Sequence, residues 1–341
     1  MAEPLVVIDA DSLGRRRTGD ETYVRELLRA LPAVGAGFRF AAVTRAPELV
    51  PDGIEPIVLR MRIQELRMAV RLPLLLRRLR PALVHFVHAL PPALPCPAVL
   101  TVQDLSFERN ASLMGRRETA IFRAVVPWSA RRAARVLAIS ERTKDDLVEL
   151  YGLPPERVVV TPLAYDSSFS QVTTCYVGSE GDGYLLLVGA IEPRKNPLAA
   201  ADAAREVGLP LVAVGPERDA GLAAELRRRG VDVRGFVSKD ELVALYRGAA
   251  CLLFPTRYEG FGLPVAEAMA SGTPVVATPD AAVKEVGGDA ILYAEPGQFA
   301  AAVRRALEER DRWVRAGLER ARLFSWEETA RRTVEVYREV L

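Results

Sequence analysis

The sequence predicts an α/β protein built from two Rossmann-like domains facing across a cleft. Three observations carry that expectation. At 341 residues the chain exceeds the common size of a single hydrophobic core. Short, wholly apolar runs alternate with longer segments of helical period, the pattern of parallel strands covered by helices on both faces. The alternation lapses once, over Asp166–Gly183, and then restarts. Ligands of such sheets sit at the carboxyl ends of strands, so two halves imply a cleft between them.

The elements follow in order. Leu5–Ile8 reads as a buried strand. A helix is predicted from about Asp20 to Leu31, because Tyr23, Leu27, Leu28 and Leu31 fall at helical spacing. Phe40–Val43, Leu83–Phe86, Ala98–Val102, Val136–Ile139 and Val158–Val160 are further strands. Ser140 is the expected N-cap of the helix that follows it, since its hydroxyl can accept from an otherwise unpaired amide. The segment DSSFSQVTTCYVGSEGDG is rich in Ser, Thr and Gly, lacks periodicity and reads as a linker. Domains are therefore expected over 1–166 and 167–325. In the second, Leu185–Val188, Leu211–Val214, Val231–Val233, Cys251–Phe254, Val275–Ala277 and Ala290–Tyr293 read as strands, and the C-terminal stretch is mostly helical.

Composition excludes several classes. Half the residues are hydrophobic and 26% charged, which suits a folded domain, and the formal charge of only +2 argues against nucleic acid as a partner. Cys96, Cys175 and Cys251 are far apart with no CxxC, against a disulfide framework or a zinc site and in favour of a reducing cytoplasm. The N-terminus has no basic region followed by a long apolar run, so no signal peptide is expected, and no uncharged apolar stretch reaches the length of a membrane span. Of 46 basic residues only Lys144, Lys195, Lys239 and Lys284 are lysines, so a lysine in a special place stands out. Leu59–Arg80 holds seven arginines and one glutamate among Leu, Met and Ile. Two readings stand: a surface helix in peripheral contact with anionic lipid, or a helix covering the sheet with its arginines reaching outward. Pro73 is expected to break any single long helix there, which counts against the lipid reading.

Two motifs carry chemistry. EGFGLPVAE, Glu259–Glu267, follows a predicted strand and opens a predicted helix. Gly260 and Gly262 let the backbone approach a ligand, the free amides and dipole of the helix start attract a phosphate, and Pro264 suits the first helical turn. Glu267, about one turn in, can accept hydrogen bonds from a paired diol. The plain alternative is a strand–turn–helix junction whose glycines only turn the chain. VGAIEPRKN places Arg194 and Lys195 at the carboxyl end of a strand, where a planar fork and a point charge together can neutralise a diphosphate. A solvated basic turn is the other reading.

These stretches, with GFVSKDELVALYRGAACLLFPTRYEGFGLPVAEAMASGTPVVAT and SERTKDDLVELYGLPPERVVVTP, resemble the retaining glycosyltransferases of family four, also called group 1, which have the GT-B fold. The resemblance is dense from Leu185 to Ser325 and thinner from Leu5 to Asp166. It implies a nucleotide-sugar donor bound mainly by the second domain. Arg194 and Lys195 would hold the diphosphate and stabilise the leaving group. Glu259 would contact the transferred sugar, the amides of Gly260, Phe261, Gly262 and Leu263 would contact sugar and phosphate, Glu267 would bind the ribose, and Phe236 and Val237 would border the base. The last helix, 326–341, would cross back onto the first domain. Fixed cations and amide dipoles aimed at the leaving diphosphate stand in for a metal, so neither metal nor cofactor is expected.

The first domain departs from the family pattern. Gln103, beside Asp104, stands where many relatives have histidine; it can donate to a sugar hydroxyl but cannot titrate. In TGDETY, Gly19 still permits close approach to the donor, while Glu21 replaces a second glycine. Glu21 either binds an acceptor hydroxyl or sits in the first turn of a helix, where the dipole favours it, and the second is preferred. The preceding Arg15–Arg17 run could attract an anionic acceptor, though a solvated loop is the commoner outcome. Of the two histidines, His85 reads as a satisfied core residue and His88 as the one nearer a ligand. The implied function is transfer of a hexose from a donor of GDP-mannose or UDP-glucose type to a hydroxyl acceptor such as a polysaccharide, a glycolipid or a small molecule. The alternative is a non-catalytic sugar-nucleotide-binding or scaffolding partner on the same fold. The lack of GxGxxG after a strand, with an acidic partner about 20 residues on, argues against a dehydrogenase.

Overall fold

The computed structural model describes residues 3–15, 18–109, 116–170 and 183–341. Two compact units emerge: Met1–Leu163 together with Ser325–Leu341, and Ala164–Phe324. The first boundary thus lies just before Asp166, and residues 171–182, most of the linker segment with Cys175, lie outside the described residues.

The first unit holds seven parallel strands: β1 (Leu5–Asp9), β2 (Arg39–Thr44), β3 (Glu55–Val58), β4 (Leu83–Val87), β5 (Ala98–Val102), β6 (Arg135–Ala138) and β7 (Val158–Val160). Their order is β3-β2-β1-β4-β5-β6-β7, so the chain winds outward from β1 and then returns to its other side at β4. Val6 pairs with Phe40 on one side and Leu83 on the other. The central strands are buried on both faces, which is why they read as continuous apolar runs. β3 escaped the sequence reading for the opposite reason. It is an edge strand, EPIV, largely exposed and carrying a proline, so no apolar run marks it.

Helix Thr18–Val34 buries Tyr23, Leu27, Leu28 and Leu31. Against it packs the terminal helix Trp326–Val340, capped by Ser325, whose hydroxyl accepts from the Glu328 amide at 3.1 Å. Tyr337 of that helix reaches His85 on β4, hydroxyl to Nδ1 at 2.6 Å, while His85 Nε2 lies 2.7 Å from the Thr101 hydroxyl. Tyr23 shares that hydroxyl at 2.8 Å. His85 is thus a satisfied core histidine, and burial pushes its pKa down to about 3. Ser140 caps its helix as its position predicts, accepting from the Thr143 amide at 3.0 Å.

The expected break at Pro73 does not occur. The backbone stays helical from Gln64 to Leu79, with a π turn at Arg67–Arg71 and Pro73 in the first turn of the segment Leu72–Leu79. The widened turn accommodates a residue that has no amide to donate.

The second unit holds six parallel strands: β8 (Tyr184–Val188), β9 (Leu211–Val214), β10 (Asp232–Val233), β11 (Ala249–Phe254), β12 (Val275–Ala277) and β13 (Leu292–Tyr293). The order β10-β9-β8-β11-β12-β13 makes β8 and β11 neighbours, although 60 residues separate their ends in sequence. The winding reverses between them, and loops leaving such neighbours diverge to opposite faces, opening a crevice at their carboxyl ends. The chain's most distinctive motifs leave β8 and β11 at that end.

Candidate active site

The site in the second unit is assembled by two loops. After β8, Pro193–Lys195 forms a single tight turn, ended by Asn196 in the left-handed conformation before the helix Pro197–Val207 begins. After β11, residues 255–262 lead into the helix Leu263–Ala270, with Pro264 in its first turn. Gly262 has φ +106°, a conformation that glycine tolerates and other residues resist, and no side chain caps the helix. The Val265 and Ala266 amides bond back to the Gly262 carbonyl, so an anion at this helix start would meet the earlier amides and the positive end of the helix dipole.

The two loops bring Arg194, Lys195 and Glu259 together. The Lys195 ammonium is bonded to Glu259 Oε1, and Arg194 Nη1 lies 3.4 Å from the same oxygen. Thr256 donates to that oxygen at 2.7 Å. Arg194 is fixed by its own partners, donating to the Tyr258 carbonyl at 2.7 Å and to Glu192 at 2.7 Å and 3.0 Å. The side chains of Arg194 and Lys195 are each only 13% exposed. Burial alone would raise the Glu259 carboxyl, but the charges of Lys195 and Arg194 and the bonds from Lys195 and Thr256 outweigh it and hold it below its usual range. Burial and Arg194 in turn pull the Lys195 ammonium down while Glu259 holds it up. With two cations around one carboxylate, the cluster rests on an ionised Glu259. Gly189, at φ +141°, leaves room for the Lys195 stem, and Gly215 lies so close that a Cβ there would meet the Gly189 carbonyl oxygen at 2.1 Å.

Glu267 sits one turn into the helix and does not join that cluster. It accepts from the Tyr246 hydroxyl at 2.8 Å. Burial pushes its pKa up to about 7, with Asp166 adding to the rise and the Tyr246 bond and Lys239 opposing it. Phe236 and Val237 follow β10. Phe236 is 52% exposed, an unusual position for a large aromatic, and its loop is tied back toward the site by a bond from the Gly215 amide to the Gly235 carbonyl at 2.8 Å. Phe261 is buried against Phe324 rather than offered as a side chain, and Leu263 is half-buried at the helix start.

The first unit has its own cluster at the carboxyl ends of β1, β4 and β5. Gly19 faces Gln103: a Cβ on the glycine would stand 3.3 Å from Gln103 Oε1. Gln103 Nε2 is buried without a partner among the described residues. His88, with φ +63°, follows β4, and its Nε2 lies 3.3 Å from Asp20. Asp104 accepts from the Ser106 amide and hydroxyl at 3.0 Å and 2.8 Å, so one of its oxygens is engaged in a local turn. Glu21 accepts from the Gly14 amide at 3.2 Å and pairs with Arg25 at 2.5 Å, within the first turn of its helix. Glu192, Thr256 and Tyr246 went unread in the sequence. Each gains its role only from a partner brought close by the fold, and none stands in a pattern of its own.

Two family models cover most of the chain: the one described as Glycosyl transferases group 1 matches residues 182–309, and Glycosyltransferase Family 4 matches residues 17–169. Among curated relatives, a D-inositol 3-phosphate glycosyltransferase 1 of Catenulispora acidiphila is 30% identical over 280 residues, 72% of this chain and 67% of that protein. The chain belongs to the group 1 glycosyltransferases. Another member, the O-antigen chain mannosyltransferase B of Escherichia coli, is 29% identical over 267 residues, 71% of this group 1 chain and 70% of the relative. Other relatives are longer, and matches to them span as little as 54% of their length. Among solved structures, Anabaena HepE in complex with UDP-glucose superposes with a TM-score of 0.70 at 14% identity, covering 99% of each chain, which shows the shared GT-B fold. No helix of the described residues is long and apolar enough to cross a membrane.

Proposed function

We propose that this group 1 chain transfers a hexose from a nucleoside-diphosphate sugar to a hydroxyl acceptor, with retention of configuration and without a metal. One observation carries the reading. Two cations and an ionised Glu259 converge at the crevice between β8 and β11, beside an uncapped helix start and one helical turn from Glu267. Each part then has a task. The bond from the sugar C1 to the diphosphate breaks, and the diphosphate gains charge. Arg194, Lys195 and the amides of Gly262 and Leu263 meet that charge without reorganising. Glu259 accepts hydrogen bonds from hydroxyls of the transferred sugar, and Glu267 from the ribose diol. Phe236 offers its face to the base. The acceptor oxygen bonds to C1 on the face that the diphosphate leaves, and its proton passes to a diphosphate oxygen.

GDP-mannose and UDP-glucose are the donor types proposed. The mannosyltransferase relative supports the first and the HepE complex the second. The test is a thermal-shift screen against UDP, GDP, ADP and their sugars in EDTA, followed by NMR assignment of the anomeric centre of any product. A raised unfolding midpoint with one base and an α-linked product from an α-linked donor are expected. A β-linked product overturns retention. Loss of turnover in EDTA overturns metal independence. Absence of any shift turns the reading to a non-catalytic partner.

A further inference from the structure

The first unit carries a surface that hexose transfer does not use. Along the helical run Gln64–Leu79 and its approach, Ile63, Leu66, Val70 and Leu74 are 46–54% exposed. Their spacing of three, four and four residues keeps them along one side of the run. Arg60, Arg62, Arg71, Arg77, Arg78 and Arg80 are exposed around them, and none of these six has a carboxylate partner among the described residues. Many exposed arginines elsewhere are paired, although some scattered singly, such as Arg257, Arg315, Arg322 and Arg338, also lack a carboxylate partner among the described residues. Arg227 pairs with Glu217, Arg229 with Glu225, and Arg331 and Arg332 with Glu328. Glu65 is the sole acid between Arg60 and Arg80.

The orientation of this face is fixed from within. Arg67, on the π turn, is completely buried, bonded to Asp9 at the end of β1, and its Nε lies 3.5 Å from Asp11. Leu72 and Leu76 enter the core of the sheet. The aliphatic stripe therefore cannot roll inward without exposing those leucines and breaking a buried ion pair. Four large aliphatics left in water gain nothing, and six unpaired guanidinium groups repel one another. Both costs fall when the covering surface is anionic outside and apolar beneath.

We propose that the Arg60–Arg80 face docks on an anionic lipid bilayer, its aliphatics entering the headgroup region and its arginines pairing with lipid phosphates. A nucleic acid would use the arginines and leave the aliphatics in water. A second copy meeting the same face about a two-fold axis would set six cations against six. The charge is local, because the whole chain carries only +2.

The experiment is co-sedimentation of the full chain with vesicles of phosphatidylcholine alone and with phosphatidylglycerol added. Binding to the anionic vesicles alone, weakening as salt rises, is expected. Leu66→Ser/Leu74→Ser and Arg77→Glu/Arg78→Glu should each weaken it by at least about tenfold, with thermal unfolding unchanged because these side chains are exposed. Equal retention on both vesicle types, or none on either, overturns the proposal. So does nucleic acid that displaces the vesicles and still binds Leu66→Ser/Leu74→Ser. A concentration-dependent dimer lost in that variant overturns it too, assigning the face to self-association. The assay needs no donor or acceptor, so its failure leaves the transfer reading untouched.

Discussion

The crevice of the second unit and the strand ends of the first arise from the same winding, yet they are lined differently. Beyond β8 and β11, the buried groups are ionised: Glu259 between Lys195 and Arg194, with Glu192 behind. Beneath the ends of β4 and β5 lies a neutral network, Tyr23, Thr101, His85 and Tyr337 joined by hydroxyl and imidazole bonds, while a buried ion pair nearby, Arg67 with Asp9 at the end of β1, ties down a helix. The topology supplies a place for a ligand, and the side chains decide its charge. On the proposed reading, the charged crevice meets the leaving diphosphate and the hydroxyl network of the first unit orients neutral groups.

The largest expected effect breaks the charged side. Lys195→Ala removes one of the two cations proposed to meet the leaving group and leaves Glu259 with Arg194 and Thr256. Turnover should fall by about 10²–10³-fold, the range seen when one preorganised electrostatic partner is lost. Initial rates with saturating donor check this, and retained folding by circular dichroism separates it from collapse. An unchanged rate would remove Lys195 from the chemistry.

Glu267 sharpens the comparison through pH. Its folded pKa of about 7 lies above the ordinary carboxylate value because burial disfavours the charge. A diol donates to the ionised form, so donor binding should take up the charged carboxylate and weaken as pH falls below about 7, approaching tenfold per unit. Glu267→Gln should bind more weakly and flatten that dependence in calorimetry at several pH values. The same shift has a stability sign. Between the unfolded value near 4.5 and about 7 the folded state holds the extra proton, so this group's stabilising contribution declines as pH rises through that window.

The neutral side should respond to acid in the reverse sense. His85, with a folded pKa of about 3, binds fewer protons folded than unfolded, so stability is lost as pH falls from about 6.5 toward 3. Tyr337→Phe strips the partner from His85 Nδ1 and should cost about 1–3 kcal/mol, the penalty for leaving a buried polar atom unpaired. Urea denaturation at neutral pH measures it, and a loss below measurement error would mean that the network adds nothing to folding. The smallest effect is expected at Gln103→His. An amide already supplies a donor there, so turnover should change by less than about tenfold and nucleotide binding not at all. A larger gain would mean that the position needs a group that titrates.

Much of this was legible in the chain. Continuous apolar strands announce a doubly covered parallel sheet, and the interior strands stand out in that way; the edge strands β3 and β10 do not, because an edge strand buries too little to need an apolar run, and β3 escaped the reading. The glycine-rich turn before Leu263, the paired cations after β8 and the cap at Ser140 are local features, set by residues close in sequence. So is the burial of His85, which the alternation along its strand places inward.

Other properties exist only once the sheets are wound. Glu259 and Lys195 stand 64 residues apart and meet because β8 and β11 become neighbours. Tyr246 reaches Glu267 across 21 residues, and Tyr337 reaches His85 across 252. The sequence names the charged residues, but whether a carboxylate is ionised or held near neutrality depends on what desolvates it and which cation lies within a few ångströms. Pro73 makes the same point for backbone. Its local rule predicts a break, but the burial of Arg67 against Asp9, with Leu72 and Leu76 in the core, holds the run helical through a π turn. Local propensity is worth a few kcal/mol at most, and the packing of Leu72 and Leu76 into the core can exceed it.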